Sequence, residues 1–283
     1  MKVKAIVVTY NGLKWIDRCL GSLRRSSVPI EVIVIDNGST DGTVEKIRAE
    51  FVDVHLITNS ENLGFGKANN IGIAIGLDDK ADYFFLLNQD AWVNSDSIKK
   101  LIEIHKENSQ YGILAPIRKF RNNQLELDVL KNIIDFGAAD LISDLFFKIE
   151  VQNIYSIDFI AAAAWLISSD CIKKIGGFDP IFFHYGEDND YCSRAKLSGF
   201  KIGICPNILV THDTGDRIPD QKMIIRKKFA SIIFHLRYTQ MPIYRYIYYR
   251  FGYLYIAVIK KDIVSARRYF NFNYKLHDLR IDP

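Results

Sequence analysis

Long uninterrupted apolar runs are missing from this sequence. The nearest, FGYLYIAVI at residues 251–259, is bounded by Arg250 and Lys260 and has half of the roughly 18 residues that read as a membrane span. The N-terminal MKVKAIVVTYNG turns polar too soon for a secretory signal peptide and lacks a small-residue cleavage site. Cysteine is scarce. Cys19, Cys171, Cys192 and Cys205 are scattered without a CxxC pair, which argues against a zinc ribbon or redox motif and reads as reduced thiols in a cytoplasmic protein. GFG at 64–66 follows the third apolar run and position 69 is Asn, so no dinucleotide fingerprint is present. Strong charge of one sign is missing too: a net charge of +4 does not call for a nucleic-acid partner.

What is present is an alternation of two periods. Apolar runs at 4–10, 31–37, 54–59, 83–88 and 112–117 are separated by segments of helical spacing at Leu13–Leu23, Thr43–Phe51, Lys67–Leu77 and Ser95–His105. This predicts an α/β fold with a mainly parallel, Rossmann-like sheet covered by helices on both faces. Residues 118–155 break the pattern and read as an insertion or irregular connection. The alternation partly resumes at 157–170, followed by a helix ending before GGFD (176–179) and a short strand KIGICP (201–206). Beyond Asp216 the chain reads as helical to its end, with Lys and Arg interleaved with Tyr and Phe.

Ligands of such sheets sit at the carboxyl ends of the strands. There the sequence places Thr9-Tyr10-Asn11-Gly12, Asp36-Asn37-Gly38, NSENLGFGKANNIG (59–72) and Asn88-Gln89-Asp90. Short carboxylates and amides can read a base or ribose, and glycines admit close backbone approach. The same residues also dominate ordinary turns. A second acidic centre is HYGEDNDYCSR (184–194). Glu187, Asp188 and Asp190 read either as acids at a helix N-terminus or as holding a carboxylate poised to accept a proton. Arg194 would pair with Asp190 or meet a phosphate. His212 is structural, or a ligand if a cation sits on Asp90; His184 and Asp213 are its neighbours in candidacy.

VVTYNG (7–12), VIDNGSTDGT (34–43), NxGFGxAxNxG (62–72), the acid after the fourth strand, GGFD..FF.YGEDxDYCxR (176–194) and the late His212 occur in one order. Together they resemble a family 2 glycosyltransferase of GT-A fold, nearest the rhamnosyltransferase-like members of cell-surface polysaccharide synthesis, over about residues 1–215. The resemblance implies a single-sugar, inverting transfer from dTDP-rhamnose or a UDP-sugar to a hydroxyl of a glycan or lipid-linked acceptor. It implies that Thr9, Asn11 and Asp36, with Tyr10 and Asn37 beside them, hold base and ribose. Asn62, Gly64 and Asn70, with Asn88 and Gln89, would line the nucleotide-sugar pocket. Asp90 and His212 would bind Mn²⁺ or Mg²⁺, Asp188 would be the base, Arg194 would meet the leaving diphosphate, and Trp165, Glu187 and Asp190 are further candidates on the acceptor side.

The sequence departs from that pattern in places. Asn88 stands where a first acid is common, Ala fills AAAAWLI (161–167) where relatives carry Gly, and no QxxRW is present, which argues against a processive synthase. The expected division is a catalytic domain at 1–216, with a nucleotide-binding half at 1–117 and an acceptor and catalytic half at 118–216, followed by a basic aromatic helical region at 217–283. That last region reads either as helices packed on the catalytic domain or a second subunit, or as a surface on the inner face of an anionic membrane. The rival functions are a nucleotide-sugar-binding module without catalysis and a nucleotidyltransferase. The latter is disfavoured because TYNGLKW has one glycine where a glycine-rich basic loop would be needed.

Overall fold

In the computed structural model, which describes residues 1–213 and 221–238, the strand–helix alternation builds one side of a single mixed sheet. Strands β1 (Val3–Thr9), β2 (Glu31–Asp36), β3 (His55–Thr58) and β4 (Tyr83–Asn88) lie parallel in the order β3-β2-β1-β4. Successive side chains enter two different cores. Ile6, Ile33, Ile35, Phe84 and Leu86 belong to one; Ala5, Val7, Val32, Val34, Phe85 and Leu87 belong to the other. A period of two with both sets apolar is why these strands read as unbroken apolar runs.

Helices α1 (Leu13–Arg24), α2 (Thr43–Glu50) and α4 (Ser97–Glu107) cover one face through residues such as Ile16, Leu20, Ile47 and Leu101. Helix α3 (Phe65–Asp78) covers the other and lies directly on the strands. A Cβ at Gly72 would come within 2.8 Å of the Ile6 side chain, and one at Gly76 within 2.3 Å of Phe84.

The rest of the sheet is assembled out of sequence order. Strand β8 (Ala164–Ser168) inserts antiparallel between β4 and β6 (Tyr111–Lys119), and β9 (Lys201–His212) follows parallel to β6. The short strands β5 (Ala91–Val93) and β7 (Tyr155–Ser156) share the outer edge of β9. Strands β5, β7 and β8 run against the others, so the sheet is mainly parallel as expected. KIGICP and the strand before His212 are one strand rather than two. Pro206 and Asn207 read as a break, yet β9 absorbs them in a register shift opposite Pro116 and Ile117.

Residues 118–155 are less irregular than expected, for they hold α5 (Leu127–Asp135) and α6 (Ala139–Phe147). Their helical period is easily missed because each helix spans only nine residues and leaves part of its apolar surface in solvent. Val129, Ile133 and Leu141 are buried, while Leu127, Ile134, Leu145, Phe146 and Phe147 are exposed. After β8 come α7 (Ser169–Ile175), whose N-cap Ser168 accepts the Cys171 N–H, and α8 (Glu187–Leu197). All four cysteines are free and buried.

Helix α9 (Gln221–Tyr238) buries Ile225, Phe229, Ala230, Ile232 and Ile233. Its last turn is fixed by charge. Arg237 donates to Asp190 and to Asp179, and the Tyr238 hydroxyl donates to Asp190 at 2.9 Å. Removing one partner of a buried ion pair strands the other, so Arg237→Met is expected to lose about 3 kcal/mol, read as a lower urea midpoint at unchanged slope. Of the region 217–283, on which the membrane and second-subunit readings rest, residues 217–220 and 239–283 lie outside the described residues. Among the described residues no helix is long and apolar enough to cross a membrane.

Candidate active site

The carboxyl ends of β1, β2 and β4 open into a cleft of about 500 Å³, within the range of small-ligand sites. Of the expected residues, Tyr10, Asn11, Asn37, Asn62, Gly64, Asn88, Gln89 and Asp90 line it. Each is held by its neighbours. Gln89 accepts the Tyr10 N–H at 2.9 Å and donates to the Tyr10 carbonyl at 3.1 Å, locking the ends of β1 and β4 together. Asn11 sits at φ 49° with its carboxamide oxygen on the Thr40 N–H. Asn62 accepts the Gly64 N–H at 2.9 Å. At φ +82°, and with a would-be Cβ only 2.0 Å from the Phe183 carbonyl oxygen, position 64 admits glycine alone.

Thr9 and Asp36 stand one layer behind this wall. The Thr9 hydroxyl donates to Asp36 at 2.9 Å, and Asp36 also accepts the Gly38 and Ser39 N–H groups at 3.0 and 2.9 Å. This buried carboxylate shapes the loop that carries Asn37 rather than lining the cleft itself.

Asp90 and His212 are brought together by strand pairing. β5 pairs with the end of β9 so that Ala91 faces His212, and His212 Nε2 lies 3.2 Å from Asp90 Oδ1. On its other side, His212 Nδ1 meets Glu126 Oε1 at 2.7 Å. Burial alone would lower the imidazole pKa, but the hydrogen bonds and charges of Asp90 and Glu126 outweigh it and raise the ring to about 9. Among the described residues no group of three or more His, Cys, Asp or Glu side chains is arranged to hold a metal ion. Asp90 fits an ion that completes its shell with substrate phosphates, since a carboxylate oxygen suits Mn²⁺ and Mg²⁺ alike, and a nitrogen ligand from His212 would favour Mn²⁺ of the two.

The three acids of the second centre have different fates. Asp190 is fully buried and engaged by Arg194, Arg237 and Tyr238. Glu187 is buried with its Oε2 lacking a hydrogen-bond partner, and burial, then the charge of Asp188, pushes its carboxyl up to about 8. Asp188 alone of the three keeps intermediate exposure. Its pKa is also raised, by burial first, against hydrogen bonds from the Asn189 and Ala162 N–H groups.

An acid raised above its unfolded value of 4.5 costs stability progressively as pH climbs from there to the folded value. Glu187→Gln is therefore expected to melt with wild type near pH 4 and above it at pH 8, as differential scanning calorimetry would show.

Nine expected residues do not line the cleft: Thr9, Asp36, His212, Glu187, Asp188 and Asp190, described above, and Asn70, Arg194 and Trp165. Asn70 clamps the Phe178 backbone, accepting its N–H at 2.7 Å and donating to its carbonyl at 2.8 Å. Arg194 pairs with Asp190 and donates to the carbonyls of Ile175 and Gly177, so it is not available to a phosphate. Asp190 is structural for the same reason. Trp165 is fully buried, stacked 6.4 Å from Phe178, and belongs to the core rather than to an acceptor wall. Conversely, the cleft recruits Trp15 and Arg226, which no motif singles out, and Phe183, which the 176–194 motif contains without assigning it a role. His184 lines it too, while Asp213 accepts the Trp15 indole N–H at 3.2 Å. Glu126 was hidden because its role needs β9 and β6 side by side.

Comparison with known proteins bears on the family and the fold. A dTDP-rhamnosyl transferase, RfbF, of Shigella flexneri is 27% identical over 216 residues, which cover 76% of this chain and 70% of that one. An N-acetylglucosaminyl-diphospho-decaprenol L-rhamnosyltransferase of Mycobacterium tuberculosis is 24% identical over 73% of this chain and 74% of its own. A solved mannosyltransferase, PcManGT from Pyrobaculum calidifontis in complex with GDP-Man and Mn²⁺, superposes on 95% of this chain and 73% of its own with a TM-score of 0.63 at 16% identity. That likeness concerns the fold, which is of the GT-A type. The sequence profile of Glycosyl transferase family 2 matches residues 4–176, more than half of the chain and every strand end that opens into the cleft. The chain belongs to that family and is a glycosyltransferase.

Proposed function

We propose that the chain transfers one sugar, with inversion, from a nucleotide-diphosphate sugar to a hydroxyl of a glycan or lipid-linked acceptor in cell-surface polysaccharide synthesis. The donor favoured is dTDP-rhamnose, because relatives that bear rhamnosyltransferase names align over about three quarters of the chain; a UDP-sugar is the second choice. Residues 1–117 are read as the donor half and 118–216 as the acceptor and catalytic half. The observation that carries the reading is the meeting of Asp90 and His212 beside a cleft lined by amides, a glycine turn, aromatic rings and Arg226.

In this reading Asn11, Asn37 and Asn62 hold the nucleoside, while Asp90 and His212 hold a divalent ion against the diphosphate. Such an ion supplies Lewis-acid stabilisation of the charge that builds on the leaving group. Asp188 takes the proton of the acceptor hydroxyl as that oxygen attacks the anomeric carbon in line. The new glycosidic bond forms as the bond to the diphosphate oxygen breaks, and the nucleoside diphosphate departs. Asp188 is preferred to its neighbours because Asp190 is locked in ion pairs and Glu187 is sealed from solvent.

A thermal-shift panel of nucleotide sugars with and without Mn²⁺ tests the donor, since a ligand that binds only the folded state raises its apparent stability. The largest shift is expected for dTDP-rhamnose with Mn²⁺. No shift with any nucleotide sugar would overturn the reading. Binding without turnover on any acceptor hydroxyl would favour a non-catalytic module.

A further inference from the structure

Residues 118–155 carry none of the motifs, yet two of the charged side chains in or beside this segment are almost sealed from solvent. Arg118 and Glu126 are 3% and 4% exposed, and Glu126 uses both carboxylate oxygens. Oε1 meets His212 Nδ1 at 2.7 Å and Oε2 accepts from Arg118 Nε at 2.9 Å. Glu126 also occupies the N-cap position of α5 but makes no side-chain capping bond there. An acid at that position ordinarily accepts an N–H of the first helical turn. This one turns instead toward a histidine 86 residues away in sequence.

Arg118 is equally divided. Its Nη1 donates to the Ala161 carbonyl at 2.8 Å. The N–H of the next residue, Ala162, and the charge of Arg118 itself are among the groups that oppose the rise of the Asp188 pKa. A path of polar contacts therefore runs from Asp90 through His212, Glu126 and Arg118 to the Ala161 carbonyl, one residue from the Ala162 N–H that acts on Asp188.

We infer that the buried Arg118–Glu126 pair is a positioning unit for both halves of the reaction: Glu126 fixes the His212 ring with Nε2 toward Asp90, and Arg118 fixes the turn that holds Asp188. This rests on the metal-assisted, Asp188-based reading above. The physical case for the first half is that a histidine which binds a metal through one nitrogen needs the other nitrogen pinned, which sets its tautomer and orientation. The case for the second is the planar fork of arginine, which presents donors to a carboxylate and a carbonyl in fixed directions, where lysine offers one mobile ammonium. A merely structural pair would behave differently, because buried ion pairs are often replaced by apolar residues of similar volume without loss.

The test uses Glu126→Gln, Arg118→Lys and the apolar double variant Arg118→Met/Glu126→Leu in the full chain, each checked for folding by its melting temperature. Mn²⁺ affinity is measured by electron paramagnetic resonance with dTDP or UDP present, and affinity for the nucleotide alone by calorimetry. Glu126→Gln and the double variant are expected to lose about tenfold to a hundredfold in Mn²⁺ affinity while nucleotide binding without metal stays unchanged. Arg118→Lys is expected to keep Mn²⁺ affinity and donor KM but to lose about tenfold in kcat. Wild-type Mn²⁺ affinity in the folded double variant, or wild-type turnover in Arg118→Lys, overturns the positioning role. If wild type itself binds nucleotide identically with and without Mn²⁺, the metal reading falls and takes the His212 half of the inference with it.

Discussion

Asp188→Asn is expected to lower turnover by about a hundredfold to ten-thousandfold while leaving nucleotide-sugar binding at the wild-type level, the usual contribution of a positioned general base. Asparagine keeps the shape of the side chain and can still accept the Asn189 and Ala162 N–H bonds, so the loss would report proton transfer rather than a collapsed turn. The choice of residue is sharp because its neighbours give opposite results. Asp190→Asn would disturb the Arg194, Arg237 and Tyr238 contacts and show first as lost stability. Steady-state kinetics beside calorimetric donor binding decides the matter, and normal turnover in Asp188→Asn would remove the residue from the mechanism.

Asp90→Asn is expected to abolish the gain in nucleotide affinity that Mn²⁺ confers and to cut kcat/KM by about a thousandfold, the order of several kcal/mol of transition-state stabilisation. The size of the effect follows from the shortage of ligands. Asn88 stands beside the site instead of a second acid, its amide 3.5 Å from His212 Nε2, so Asp90 is the one carboxylate of the Asn88-Gln89-Asp90 turn. Nucleotide titrations with and without Mn²⁺ on both proteins would show it. An Mn²⁺-dependent gain that survives in Asp90→Asn would mean the ion sits elsewhere.

Much of the donor side was legible because it is local. The parallel strands β1 to β4 are buried on both faces, so they read as continuous apolar runs, and their polar termini follow immediately in sequence. The GT-A resemblance rests on those termini and accords with the family match. Other roles were misassigned where one residue type serves two purposes. Arg194 and Asp190 are one helical turn apart, a spacing that equally suits an ion pair and a phosphate site, and burial chose the ion pair. Trp165 lies in a run that reads as lining the acceptor side, and a place between β4 and β6 put it in the core.

By itself, then, the sequence determined the parallel half of the sheet whose strand ends open into the cleft, the acid at the end of β4 and the acidic start of α8, because period and local spacing encode them. Only the tertiary structure decided what faces those groups. β8 enters antiparallel between β4 and β6, and β9 pairs with both β6 and β5. That pairing puts His212 beside Asp90 and Glu126 behind His212. Contacts that join residues 86 and more positions apart leave no trace in local periodicity, since they depend on which strands become neighbours.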